Sequence, residues 1–281
     1  MKLGCLFPGQ GSQKVGMGKD LYDELSFARE RFQQADECLG VELSTIMFNG
    51  PMEDLTQTVY AQPAIFLVSS ILFDVLREKG VNVHALAGHS LGELTAYYAG
   101  GVLSFEDCLK LIHFRATVMG EAYPSEDSAM TAVLKLSLDD VQQKVADIED
   151  VVVANINCPG QVVISGKKQA VLDATEALKS VGAKAIPLPV SGAFHSPLMT
   201  SASERLADYM ESVTIQDSHT PIYLNRTAEP VVHADVLREN VSLSTVKLDK
   251  DLIKDVLLRL IILSSSTACL IDSNFLSRTS K

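Results

Sequence analysis

Ser90 stands between two glycines in Leu86-Ala87-Gly88-His89-Ser90-Leu91-Gly92-Glu93-Leu94-Thr95, where an apolar run gives way to one with helical spacing. G-x-S-x-G at a strand-to-helix junction is the pattern of a nucleophile elbow, a strained turn whose flanking positions must lack bulk. The bare string is common, and Ser90 could instead be a plain helix N-cap. In the catalytic reading, the helix N-terminus offers the Leu91 N–H to a developing oxyanion. A serine needs a base within hydrogen-bond reach, and six histidines are available: His84, His89, His113, His195, His219 and His233. His84, on the preceding strand, and His89, which an elbow turns away from the serine, read as structural. His113 lies within a helix beside Arg115 and could pack or face a site. His195 leads the candidates because Gly192-Ala193-Phe194-His195-Ser196-Pro197 places it in a loop between a strand and a helix start, where site residues concentrate.

Two further features could serve such a serine. Pro8-Gly9-Gln10-Gly11-Ser12-Gln13 follows the first apolar run. Lys14 replaces the last glycine of G-x-G-x-x-G and no G-K-[ST] follows, so a nucleotide loop is not expected. The Gln10 N–H could supply a second oxyanion donor, or the segment is an ordinary tight turn. Arg115, among Leu109, Leu111, Ile112 and Phe114, is either a solvated charge paired with Glu121 or Asp107, or a fork for a substrate carboxylate, which a guanidinium binds through two parallel hydrogen bonds.

These residues need a scaffold. In the first hundred positions apolar runs (2–7, 83–87) alternate with helix-period segments (22–38, 63–79), the mark of a sheet covered by helices. A helix is expected from Gly92 to Gly100-Gly101 and another over 105–122, before Pro124 to Ser128 breaks the chain. Between 128 and 191 the order becomes strand 130–136, helix 139–148, strands 151–157 and 161–165, helix 169–181, strand 184–190. That βαββαβ pattern marks a ferredoxin-like unit. The expected fold class is therefore α/β: a large subdomain with a parallel sheet core over 1–127 and 192–281, and a small ferredoxin-like subdomain inserted over 128–191. A helix resumes from Pro197 to Met210. Beyond Gly192 there is no glycine and beyond Pro230 no proline, although these residues punctuate turns. The segment 240–281 reads as atypical and its end, LSSSTACLIDSNFLSRTSK, as poorly ordered.

Bulk composition narrows the function classes. The 281 residues suffice for a sizeable core. A formal charge of −11 argues against nucleic acid and anionic membranes as partners. Five scattered cysteines without C-x-x-C fit reduced thiols better than disulfides or zinc. The start lacks the apolar run of a signal peptide. The segment 256–271 is interrupted by Arg259 and three serines, so no membrane span is expected there. The cytoplasm is the expected compartment.

Taken together, the chain resembles the malonyl-CoA:acyl-carrier-protein transacylases of bacterial fatty acid synthesis and the acyltransferase domains of polyketide synthases. The resemblance runs through Phe7-Pro8-Gly9-Gln10-Gly11-Ser12-Gln13, Tyr60-Ala61-Gln62-Pro63-Ala64, Gly88-His89-Ser90-Leu91-Gly92-Glu93, Arg115 with Met119, Ala154-Asn155 with 159–166, 192–199, and Asn225-Arg226-Thr227-Ala228. It implies Ser90 as the acylated nucleophile, His195 as its base and Arg115 as the clamp on the malonyl carboxylate. The backbone N–H groups of Gln10 and Leu91 would form the oxyanion hole. It implies an α/β-hydrolase-like large subdomain, and malonyl transfer from malonyl-CoA to the phosphopantetheine thiol of acyl carrier protein by a ping-pong route, without metal or cofactor, in a monomer. The Ala193-Phe194-His195-Ser196 form is similar to malonyl-selective members.

The resemblance fails at the end. The family carries there a glutamine followed by a Pro-Val pair, whose backbone carbonyl orients the catalytic histidine, and later a Glu-Val-Gly-Pro-Gly loop. Here Asn240 could take the glutamine's place, but the surrounding helix and the final strand are expected to be lost. Three alternatives follow: a polyketide-type acyltransferase, a serine esterase or thioesterase, and an inactive carrier-binding relic. Lys167, Lys168, Lys179 and Lys184 could form a docking patch for the acidic carrier, or simply a solvated face.

Overall fold

A computed structural model of the chain describes residues 3–190 and 192–246. The chain opens with β1 (Gly4–Phe7), α1 (Lys19–Glu24), α2 (Ser26–Leu39), α3 (Leu43–Asn49), α4 (Met52–Thr56) and α5 (Thr58–Glu78). It continues with β2 (Ala85–Gly88), α6 (Leu91–Ala99) and α7 (Phe105–Glu121). Then come β3 (Ser128–Leu134), α8 (Leu138–Val145), β4 (Val151–Cys158), β5 (Gln161–Lys167), α9 (Lys168–Ser180) and β6 (Lys184–Pro187). After a 3-10 turn at Pro197–Met199 follow α10 (Thr200–Ser212), β7 (Ile222–Tyr223), β8 (Pro230–Val231) and α11 (Ala234–Val246).

The fold is α/β with two sheets. One has the order β1-β2-β7-β8, parallel across β1, β2 and β7 and antiparallel at β8. The other has the order β4-β5-β3-β6 and is antiparallel throughout. Its chain order, β3-α8-β4-β5-α9-β6, is the βαββαβ pattern expected from the sequence. β5 lies between β3 and β4, which makes the split of a ferredoxin-like unit.

The main core joins β1 and β2 to α2, α5, α6 and α7, with Phe32, Phe66, Leu86, Tyr97, Leu109 and Ile112 fully buried. Each such side chain contributes about 1.5–3 kcal/mol of apolar transfer. α5 begins five residues before the expected start, so Pro63 lies inside it. It is long and apolar enough to cross a membrane, but most of it is buried within the protein. The expected 22–38 helix is two helices, α1 and α2, meeting at the extended Leu25. The loss of helix expected around Asn240 does not occur, because α11 runs unbroken to Val246 and packs against α10. The final strand, the 256–271 segment and the end of the chain lie outside the described residues.

β2 passes into α6 through a contact that leaves no room for a methyl group. A Cβ on Gly88 would sit 2.0 Å from the Gly92 carbonyl carbon, and one on Gly92 would sit 2.2 Å from the Phe7 carbonyl oxygen. Gly92→Ala is therefore expected to cost about 3 kcal/mol, a thermal midpoint lower by roughly 6–12 °C in calorimetry. Gly120→Ala in α7, with open space around its Cβ, should raise stability by about 0.5–1 kcal/mol.

Candidate active site

The elbow forms because β2 must turn into α6 within two residues, and Ser90 takes the strain of that turn with φ 50° and ψ −104°. Its hydroxyl makes no cap bond to the helix, which removes the plain N-cap reading. Instead Ser90 Oγ lies 2.9 Å from His195 Nε2 and accepts from Arg115 Nη2 at 3.1 Å. The Ser90 N–H donates to Asn225 Oδ1 at 2.9 Å, and Asn225 Nδ2 donates back to the Gly88 carbonyl at 2.7 Å. The turn is thus clamped from both sides.

His195 also sits at positive φ, 55°, and is 4 % exposed. Its Nδ1 lies 2.9 Å from the Ser244 carbonyl, an acceptor only, so Nδ1 carries the proton and Nε2 presents its lone pair to the serine. The orienting carbonyl is therefore that of Ser244, one turn beyond Asn240, where the sequence had suggested it. Burial, with Arg115 and His89 adding to it, pushes the His195 pKa down to about 3, against the pull of the Ser244 and Thr245 backbone. At neutral pH the imidazole is uncharged and able to take a proton.

Arg115 is 2 % exposed. Glu121 pairs with Arg205 and Asp107 caps its own helix with Ser104, so neither expected partner reaches it. Nη1 donates to Gln62 Oε1 at 2.7 Å. Among the described residues no ion pair joins Arg115 to a carboxylate. Burial lowers its pKa to about 10, with the Glu93 charge opposing, so the guanidinium stays charged.

Ser90, His195 and Arg115 line a cavity of about 290 Å³ with Gln10 and Leu91. Leu91 is the first residue of α6, so its N–H has no partner within the helix. Gln10 is tied down through its side chain, Nε2 donating to Thr58 Oγ1 at 3.1 Å. The opposite wall comes from the antiparallel sheet, through Met130, Ala132, Asn155, Asn157, Gln161 and Val163. The amide nitrogen of Asn155 is buried there without a partner. His89, which also lines the cavity, meets Asn157 Oδ1 at 3.1 Å, and His84 Nδ1 accepts from the Leu3 N–H. Among the described residues no cluster of His, Cys, Asp or Glu could hold a metal ion.

Gln62, Glu93 and Asn225 also sit around the site; they stood in the motifs of the resemblance without a role assigned to them, and Glu93 carried a signal of its own as a lone carboxylate in the apolar helix Leu91–Ala99. Asn240, considered for its backbone carbonyl, contributes its side chain instead, donating to Glu93. His113 does not face the site; its ring bonds the Val59 backbone, whose carbonyl Pro63 leaves without a helical partner.

A fluorophosphonate should label Ser90 at a rate that stays nearly level from pH 8 to pH 5, where an unperturbed histidine would lose about 30-fold of its neutral form. In Arg115→Met the acid-side fall should move to higher pH, because the cation that disfavours imidazolium is gone. Labelling kinetics across pH check both.

The acyl transferase domain family matches residues 5–250. A malonyl CoA-acyl carrier protein transacylase of Bacillus subtilis is 43 % identical over 247 residues, 86 % of this chain and 76 % of that protein. The acyl-carrier-protein S-malonyltransferase structure from Bartonella henselae superposes with a TM-score of 0.90 at 33 % identity, covering 96 % of this chain and 90 % of the other. A malonyl-transacylase solved in complex with its type II PKS acyl-carrier protein gives 0.88 at 32 % identity, covering 92 % and 85 %. The chain belongs to the acyl transferase domain family.

Proposed function

We propose that the chain transfers a malonyl group from malonyl-CoA to the phosphopantetheine thiol of an acyl carrier protein, through an ester on Ser90, in fatty acid synthesis. The observation that carries this reading is the position of Ser90 Oγ, within hydrogen-bond reach of both a neutral imidazole and a buried guanidinium.

The chemistry follows from that geometry. As Ser90 Oγ bonds to the thioester carbonyl carbon, its proton passes to His195 Nε2. The Gln10 and Leu91 N–H groups take the developing oxyanion, each such donor contributing about 3–4 kcal/mol. The C–S bond breaks, and the coenzyme A sulfur leaves with the proton from His195. In the second half the carrier thiol gives its proton to Nε2, its sulfur attacks the ester carbonyl, and the Ser90 oxygen recovers the proton as the C–O bond breaks. Arg115 receives the malonyl carboxylate in two parallel hydrogen bonds. Acetyl would leave that charge unpaired, a penalty that reaches about 10⁴-fold where a buried polar group loses its partner.

The same reading treats 1–127 and 192–281 as one unit with 128–191 inserted, and the enzyme as a cytoplasmic monomer.

Intact-mass analysis after mixing with malonyl-CoA should show one malonyl group per chain, absent in Ser90→Ala, and its failure to form would overturn the reading. Arg115→Ala should lose most of the preference for malonyl-CoA over acetyl-CoA. An unchanged preference, with acyl groups released to water rather than to carrier protein, would favour the esterase alternative.

A further inference from the structure

We propose that Glu93 is a positioning residue that holds the nucleophile and its base in one register, the Ser90 elbow through Asn225 and the His195 orienting turn through Asn240. This rests on the acyl-enzyme reading above.

Glu93 lies one turn into α6 and is 2 % exposed. Its Oε2 accepts from both the main-chain N–H and the Nδ2 of Asn225, and its Oε1 accepts from Asn240 Nδ2. Every contact is a donor reaching a carboxylate, in separate stretches of chain. Asn225 in turn accepts the Ser90 N–H, so one arm fixes the strained residue whose hydroxyl reacts. Asn240 lies on α11 one turn before Ser244, whose carbonyl accepts from His195 Nδ1, so the other arm fixes the height and rotation of the group that aims the base. Tyr97, a further turn along α6, extends the tie. Its hydroxyl accepts from Asn240 Nδ2 at 3.3 Å and donates to the Leu237 carbonyl at 3.0 Å.

Burial pushes the Glu93 pKa up, while Asn225, Asn240 and the Arg115 charge pull it down. A carboxylate held dry by three N–H donors is a costly group to maintain unless it organises something. Glu93 is not among the residues that line the cavity, and all three donors to its carboxylate lead to residues that hold Ser90 or His195. The Asn240 Oδ1 is buried without a partner, so the donor-acceptor pair between 93 and 240 can be inverted in place.

That inversion gives the test. Asn240→Asp sets two carboxylates face to face and should slow Ser90 labelling by fluorophosphonate, and the first malonyl turnover, by about 100-fold. KM for malonyl-CoA should stay near that of the unaltered enzyme, because Arg115 is untouched. Glu93→Gln should cost about 10-fold, the loss of one hydrogen bond to a charged group. The double variant Glu93→Gln/Asn240→Asp restores a donor facing an acceptor and should recover most of the rate lost in Asn240→Asp. Should Asn240→Asp fail to fold, Asn240→Ala replaces it, with slow but eventually complete malonylation expected at the end point. Unaltered labelling rates in the single variants, or a double variant no faster than Asn240→Asp, overturn the proposal. Because labelling needs no malonyl group, a failure of the transfer reading would appear instead as an unaltered enzyme that is labelled at Ser90 but takes up no malonyl.

Discussion

A guanidinium cannot be carried into a dry cavity unless its charge and its donors are met, and Arg115 imposes that condition on everything near it. Gln62 answers one arm and the Ser90 hydroxyl the other. Burial is the main reason that the His195 imidazole is neutral, and the Arg115 charge adds to it, since an imidazolium forming beside it would meet a like charge in low dielectric. A carboxylate brought to Arg115, as the proposed reaction requires, would therefore enter the electrostatic balance around His195 as well as being recognised.

Ser90 and His195 share a second constraint. Both occupy backbone conformations that non-glycine residues seldom adopt, and such strain persists only where the surroundings over-determine it. The surroundings here come from distant stretches of chain: Asn225 for the elbow and Ser244 for the imidazole. The pair is thus stable as a product of the whole large sheet and its helices, and no short segment could hold it alone.

That dispersal decides what could be read from sequence. The elbow was legible because its determinants are adjacent: two glycines, a serine, and a change from strand to helix spacing. The βαββαβ order was legible because hydrophobic period and turn residues are local signals. His195 could be favoured but not settled, since a loop between a strand and a helix says where a base could stand and nothing about where the serine is. The Ser244 carbonyl was invisible in kind, because a backbone oxygen leaves no mark on residue identity, and the expectation moved it to Asn240. Loss of helix around Asn240 was inferred from departures in side-chain pattern. The helix persists because Leu237 and Val241 still bury one face against the core, and because Asn240 finds Glu93 and Tyr97.

Pro63 and His113 bear on all of this from outside the cavity. A helix with every hydrogen bond satisfied internally can slide or rotate against its neighbour at modest cost. The missing bond in α5 is made good by a side chain of α7, next to the Gln62–Arg115 contact in both helices. The two links thus join the same pair of helices side by side, one through a backbone carbonyl and one through a side chain. The residue that holds one arm of the guanidinium therefore stands immediately before the proline that leaves the Val59 carbonyl to His113.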